Sequence, residues 1–143
     1  MAVLYAANAT SAFNTNPPTK NGPEVGGGRL RVMTDTITYA SQTTSDTIVL
    51  FGKRLPIGAT VLGGTITTSV TTGTSTVALG ITGNTTKYLS ATAYTTANIP
   101  VNFGSAAGVG SVTTAEEQLF FTIGTGSLPA SGTMDVVLYY VVD

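Results

Sequence analysis

Side chains capable of acid–base catalysis are few in this 143-residue chain, and carboxylates are the most numerous of them. A glycosidase needs two carboxylates that face each other across a cleft at a set separation. Glu116 and Glu117 are adjacent in the sequence, so their side chains are expected to diverge. Asp35, Asp46 and Asp135 are far apart, and their spacing does not indicate a facing pair. The carboxylates therefore do not predict a hydrolytic site.

The chain has no histidine and no cysteine, which removes the common nucleophilic and metal-binding arrangements. A Ser-His-Asp or Cys-His arrangement requires one of these residues, and zinc sites normally draw on both. The glycine-rich stretch at residues 26–29 lacks the Gly-Lys-Ser/Thr ending of a phosphate-binding loop. We therefore expect a protein that is not an enzyme and that has no metal site and no cofactor.

Basic residues are too few to form a nucleic-acid-binding surface. The whole chain has six, whereas neutralising phosphates requires a continuous Lys/Arg face. Lys53-Arg54 is the only basic pair. One interpretation places this pair at a solvated hairpin tip; the other makes it a contact with an acidic partner surface, where charge affects association rate and register more than affinity.

The sequence shows no membrane segment and no secretion signal. No apolar run approaches the ~20 residues of a spanning helix. Residues 1–16 lack a basic start and a sustained apolar core. We therefore expect no membrane contact, and release of the protein by lysis or within an assembled particle.

Threonine, with glycine and serine behind it, replaces charged residues over most of the chain. Charged residues make up 9%, against about 25% in an ordinary soluble domain. Threonine is β-branched and favours strands, and its hydroxyl hydrates an outer face without charge. Because the net charge is only −1, copies repel each other weakly, which favours contact with other copies or with a large partner.

Short alternating strands separated by turns predict the fold. The stretch Asp46–Val70 contains a strand, a tight turn at Leu55–Gly58 and a second strand, which predicts a hairpin. Period-two alternation in the second strand places Leu62, Ile66 and Val70 on one face. About eight such strands, without a convincing helix, predict an all-β, single-domain antiparallel β-sandwich or jelly-roll-like core.

Two segments depart from simple alternation. In Arg29–Tyr39 the apolar residues change parity, which predicts a bulge or bend near residues 33–36. Thr113–Gln118 contains the Thr-x-x-Glu pattern twice. That pattern is typical of a helix start, and it predicts at most one helical turn before the next strand.

The last strand, Met134–Val142, is apolar on both faces. Only one face of a strand meets the core of a single domain, and a strand that is apolar on both faces is normally buried on both. The second face carries Val137, Tyr139 and Val141. We therefore predict that these three residues form a subunit interface.

Residues 1–28 differ from the rest of the chain, and we assign them to an extended N-terminal arm preceding a β-sandwich domain at residues 29–143. Pro17-Pro18 favours an extended backbone, and Gly26–Gly28 forms a flexible joint. Chain ends are often disordered, but a disordered tail has little reason to carry aromatic residues. The alternative is an arm that docks Leu4, Tyr5 and Phe13 on a neighbour.

The layout resembles small head structural proteins of tailed bacteriophages, and in particular capsid decoration, or cement, proteins. The resemblance covers most of the chain from about Arg29. It rests on GGGRLRV after the arm, KRLPIGATV and GTSTVALGI in the β core, and ASGTMDVVLYYVVD at the end.

The resemblance implies a compact β domain that binds the major capsid protein as a homotrimer on the outer surface of the virion. Proteins of this kind clamp neighbouring capsomers, and a terminal arm often reaches adjacent subunits. It also implies synthesis in the host cytoplasm. On this hypothesis the arm residues Leu4, Tyr5 and Phe13 and the rim residues Lys53 and Arg54 contact the capsid.

Two other functions are compatible with the sequence. A receptor- or carbohydrate-binding module of a tail fibre or adhesin needs exposed aromatic side chains beside polar groups, and Tyr88 and Tyr94 are its candidates. A tail-tube or connector component is the other alternative, and it should form rings or tubes.

Overall fold

Alternating apolar and threonine-rich segments form β-strands throughout the computed structural model, which describes residues 29–142. No helix within this range is long and apolar enough to cross a membrane. The described range contains eight strands: β1 (Leu30–Thr38), β2 (Thr47–Val49), β3 (Thr60–Thr68), β4 (Thr76–Ile81), β5 (Asn84–Thr92), β6 (Val101–Phe103), β7 (Phe120–Gly124) and β8 (Thr133–Val141).

The strands form two four-stranded sheets that pack against each other. One sheet, which we call sheet A, has the order β1-β8-β3-β6, and the other, sheet B, has the order β2-β7-β4-β5. Every strand pair is antiparallel. The expected all-β antiparallel sandwich is therefore confirmed.

The core lies between the sheets and is built from alternate residues of the central strands. From β8 of sheet A, Met134, Val136 and Leu138 are almost completely buried. From sheet B, Leu79 and Phe121 are opposite each other in the β4–β7 register and have no exposed surface. Burying one such side chain contributes about 1.5–3 kcal/mol to folding.

The predicted hairpin between β2 and β3 is wrong. β2 pairs with β7 in sheet B, whereas β3 pairs with β8 and β6 in sheet A. The connecting segment crosses from one sheet to the other, and Leu55 and Ala59 within it are fully buried. The turn itself forms as expected, because Gly58 adopts a φ of 79°, which glycine tolerates without strain.

Alternation predicted that Leu62 and Ile66 share a face, and the structure shows that they do not. Tyr140 is opposite Val61 and Tyr139 is opposite Gly63, so Leu62 is an extra residue in a β-bulge. The bulge turns Leu62 outward, where it is 44% exposed, while Ile66 is fully buried. A bulge shifts the face of every residue on one side of it.

The bulge or bend predicted near residues 33–36 of β1 does not form. β1 and β8 pair in continuous register from Leu30, opposite Val141, to Thr38, opposite Thr133. Leu30 and Val32 point outward and are more than half exposed, whereas Ile37 points into the core. The change of parity therefore marks a strand whose first half is apolar on its outer face.

No helical turn forms at Thr113–Gln118, contrary to prediction. The Thr113 hydroxyl donates to the Pro56 carbonyl at 2.7 Å and accepts from the Ala59 amide at 2.9 Å. Glu117 pairs with Leu55 in an isolated bridge. Both residues are thus bound to the segment that crosses between the sheets, and these contacts replace helix capping.

Candidate partner-binding site

A cleft of about 450 Å³ with basic walls opens at one end of the sandwich. Arg31, Lys53 and Arg54 supply its charge, and we call it the basic cleft. Three of the six basic residues of the chain meet there. The other lining residues are Met33, Pro56, Glu116, Tyr140 and Val142.

Two elements from different sheets bring the cations together. Arg31 lies on β1 directly opposite Tyr140 of β8. Lys53 and Arg54 lie on the segment that leaves β2 of sheet B. The Phe51 amide donates to Asp35 Oδ2 at 2.6 Å, and this bond holds that segment against β1.

The cleft keeps a net positive charge although the chain as a whole is slightly acidic. Among residues 29–142 its single carboxylate is Glu116, which lies 3.9 Å from an Arg54 guanidinium nitrogen, and both side chains are about 60% exposed. Exposed pairs of this kind attract weakly, by about 0–1 kcal/mol. The three cations therefore remain available to an acidic partner.

Lys53 and Arg54, expected from the sequence to form a rim, lie in this cleft. Arg31 was not among the candidates because it lies within a strand, 22 positions before Lys53 in the sequence. Its location follows from the β1–β8 register, which no local pattern reveals. The motif GGGRLRV did contain a signal, since a basic residue between Leu30 and Val32 must point to the opposite face from them.

On the other side of β1, the outer face of sheet A is apolar at the same end of the sandwich. We define the outer apolar face as Leu30, Val32, Leu62, Val112 and Tyr139. Leu30, Val32, Leu62 and Val112 are 56%, 51%, 44% and 54% exposed. Exposed apolar side chains grouped on one face are typical of interaction sites.

Cross-strand register places the members of this face in neighbouring rows, although Val141 and Thr60, which lie between Leu30 and Val112, are buried. One row runs from Leu30 through Val141 and Thr60 to Val112, and the next runs from Val32 through Tyr139 to Gly63. The third row, at Thr34, Val137 and Thr65, ends the apolar part because two of its three members are threonines.

The three residues predicted for a subunit interface all belong to these rows. Val137 and Tyr139 are partly buried, so part of each side chain is open to a partner. Val141 is only 6% exposed and is already covered within the chain. The exposed apolar area comes mainly from Leu30, Val32 and their neighbours. These residues were not predicted to face outward together, because the change of parity in β1 was interpreted as a bulge.

Glu117 is the centre of a buried polar cluster at the neighbouring edge. It is 8% exposed, forms a short ion pair with Lys87, and accepts a 2.5 Å hydrogen bond from the Tyr88 hydroxyl. Burial is the main cause that raises the pKa of Tyr88, and the hydrogen bond to Glu117 raises it further. All of these groups are paired with one another, so the cluster joins β5 to the loop before β7.

Tyr88 and Tyr94, the predicted sugar-binding aromatics, are not on the surface. They are 0% and 3% exposed, and the Tyr94 amide donates to the Thr72 hydroxyl at 2.8 Å. The expectation of exposed aromatic side chains at these positions is therefore wrong.

Leu4, Tyr5 and Phe13 lie outside the described residues, as does the whole predicted arm at 1–28. Within residues 29–142, no three acidic side chains are grouped in a way that would hold a metal ion.

Comparison with solved structures identifies the same fold in a phage capsid. A chain of the cyanophage Pam1 capsid asymmetric unit superposes with a TM-score of 0.66 at 22% identity, over 92% of this chain and 99% of that one. A chain of the acid-stable capsid of Helicobacter pylori bacteriophage KHP30 gives a TM-score of 0.45 at 12% identity, covering 77% and 94%. No protein-family model matches the chain, and no curated protein matches it. The resemblance to phage head structural proteins is thus confirmed at the level of the fold, with the Pam1 capsid chain as its structural counterpart.

Proposed function

We propose that the protein is a virion structural protein, a capsid decoration or cement protein that binds the outer surface of a phage shell as a homotrimer. The observation that carries this proposal is the shared fold with a chain of the Pam1 capsid over 92% of this chain. A match over nearly the whole of both chains favours a protein with the same architectural role. Its partner would be the major capsid protein, and it would require neither nucleic acid nor a membrane.

Two surfaces at one end of the sandwich suit such a role. The basic cleft offers charge that can guide docking to an acidic shell surface. The outer apolar face offers area whose burial is favourable by about 25 cal/mol per Å². In this proposal Lys53 and Arg54 contact the shell. Val137, Tyr139 and Val141 lie at the interface between subunits, where Val137 and Tyr139 supply the contact area because Val141 is only 6% exposed.

The arm supplies a second attachment. Leu4, Tyr5 and Phe13 would dock on the shell, and each buried apolar side chain contributes about 1.5–3 kcal/mol before ordering costs. In a trimer three arms act together, and linked attachments raise the overall affinity well above that of one.

We also infer that the sandwich is a jelly roll. Successive strands alternate between the two sheets, except that β4 and β5 both lie in sheet B. Eight strands in two sheets with such crossings are the arrangement of a double Greek key.

Mass in solution and shell binding test the proposal. Light scattering of the full chain should give three times the monomer mass. The purified protein should also saturate shells that have been stripped of it and raise the temperature at which they open. Rings or tubes would instead indicate a tail component. A monomer that does not bind the stripped shells would refute the cement role.

Removal of residues 1–28 tests the arm separately. The truncated chain should remain folded, because residues 29–142 supply eight paired strands and a cluster of buried apolar side chains, and it should bind shells poorly. Shell binding equal to that of the full chain would refute the arm contact while leaving the trimer and the cleft unaffected.

A further inference from the structure

Among the described strands, β1 lies at the edge of sheet A. Within residues 29–142 it pairs only with β8. The bond from the Phe51 amide to Asp35 covers the edge at that residue. The segment from Leu30 to Thr34 is left with alternate backbone groups facing away from β8, and such groups accept a further strand.

The side chains along this open segment are sorted by face. Leu30 and Val32 point to the outer apolar face, while Arg31 and Met33 line the basic cleft. A residue directly opposite in an added antiparallel strand has its Cβ about 4.5–5.5 Å away, on the same face. An added strand would therefore meet apolar groups on one side and cations on the other.

We propose that Leu30–Thr34 binds an extended segment of a partner protein by strand addition, and that this segment alternates carboxylate and apolar side chains. Its carboxylates would enter the basic cleft and pair with Arg31 and Lys53. Its apolar side chains would cover Leu30 and Val32. Main-chain hydrogen bonds would supply affinity and the alternating side chains would supply specificity, as in other strand-addition complexes.

Charge complementarity selects the occupant. In the part of the chain that the structure describes, three cations line the cleft against one carboxylate, Glu116, so an acidic segment is favoured over a neutral or basic one. The protein's own arm does not fit, because Glu24 is its single acidic residue and no alternation of acidic and apolar residues occurs there. On the proposed function, from which this inference takes the partner's identity, the segment belongs to the shell protein.

The first test uses the full chain and a short capped peptide of alternating valine and glutamate, labelled for fluorescence anisotropy. The same peptide with glutamine, and again with lysine, in place of glutamate provides matched controls. We expect the glutamate peptide to bind about tenfold more tightly than the glutamine peptide, with the difference shrinking as salt is added. Equal binding of the three peptides, or no binding of the glutamate peptide, would overturn the proposal.

Variants then locate the site. Arg31→Gln and Lys53→Gln should each weaken binding of the glutamate peptide about two- to fivefold, as expected for partly exposed charge pairs. Glu116→Gln should strengthen it slightly, because a competing carboxylate is removed. All three side chains are at the surface, so unchanged thermal unfolding can confirm that the variants are folded. Unaltered affinity in both cation variants would exclude the basic cleft.

Hydrogen exchange distinguishes strand addition from simple charge binding. With the glutamate peptide bound, amides within Leu30–Thr34 that face away from β8 should gain protection. Amides of β5, the long edge strand of sheet B, should not change. Binding without protection in β1 would reject strand addition.

This inference and the cement role fail in different experiments. If the protein is a trimer that saturates shells but does not bind the glutamate peptide, only the strand addition is refuted. A protein that binds the peptide through β1 but does not bind shells refutes only the cement role.

Discussion

The Tyr88 hydroxyl donates a 2.5 Å hydrogen bond to Glu117 Oε2, while Lys87, its neighbour in β5, pairs with Oε1 of the same carboxylate. Successive residues of a strand normally point to opposite faces. Here the long lysine side chain returns to the carboxylate that the tyrosine reaches directly. One buried carboxylate thus satisfies two side chains of β5 and fixes the loop that carries it.

Glu117→Ala should destabilise the protein by about 2–4 kcal/mol. The substitution leaves the buried Tyr88 hydroxyl without its acceptor and the largely buried Lys87 ammonium without its counter-charge. Urea unfolding measures the loss. Glu116→Ala is the matched control, because Glu116 is about 60% exposed and 3.9 Å from its partner, and it should change stability by no more than about 0.5 kcal/mol. Equal effects of the two substitutions would contradict this account.

Stability should fall steeply at alkaline pH. Burial raises the pKa of Tyr39 from 10.0 to about 12 and raises those of Tyr88 and Tyr94 as well. Above pH 10 the unfolded chain loses these protons and the folded chain keeps them, so the unfolding free energy decreases as pH rises. The slope reaches about 1.4 kcal/mol per pH unit for each such tyrosine. Urea unfolding between about pH 8 and pH 11 should show a plateau and then this decline; a flat profile would contradict it.

Tyr39→Phe should leave stability unchanged at neutral pH or raise it by about 1 kcal/mol. The Tyr39 side chain is 2% exposed, and its hydroxyl has no hydrogen-bond partner among residues 29–142. Burying an unpaired hydroxyl is costly, and phenylalanine keeps the ring without that cost. The same variant should make the alkaline decrease in unfolding free energy less steep, because one tyrosine no longer contributes to it. A loss of more than about 1 kcal/mol in urea would indicate that the hydroxyl has a partner.

Gly64→Ala should destabilise the protein by more than about 2 kcal/mol. A Cβ at this position would overlap the Val137 carbonyl oxygen of β8, which is fixed by sheet pairing, and the ring of Phe103. Gly104→Ala is the control, since its nearest neighbour would lie at an ordinary 3.5 Å. Thermal unfolding of the two variants should separate them clearly, and similar melting temperatures would show that Phe103 can move aside at little cost.

The strand content was predictable because period-two alternation is a local property. In β4, alternation places Val77 and Leu79 inward, and both are buried. β8 is apolar on both faces, so its core side does not follow from its own sequence. The sandwich class followed from the number and spacing of such strands. The turn at Pro56-Gly58 was predictable for the same reason, since its chemistry depends on neighbouring residues.

Pairing was not predictable, because it depends on residues that are far apart in the sequence. Asp46–Val70 has the appearance of a hairpin, yet its two strands belong to different sheets. The bulge at Leu62 and the unbroken register of β1 are likewise set by β8. The candidate site was the least predictable part, because Arg31 lies near Lys53 and Arg54 only after the two sheets are assembled. The Thr113–Gln118 capping pattern failed because buried contacts to the crossing segment outweighed a weak local preference.

The position of β8 has a consequence for how the protein is made. It is the last of the eight strands, and it lies between β1 and β3. Sheet A therefore lacks one of its two central strands until β8 has been synthesised, and both β1 and β3 must wait for that distant partner. Topologies dominated by such distant pairings fold slowly. A chain interrupted before residue 133 would leave β1 and β3 unpaired along their facing sides, so such a copy cannot form sheet A.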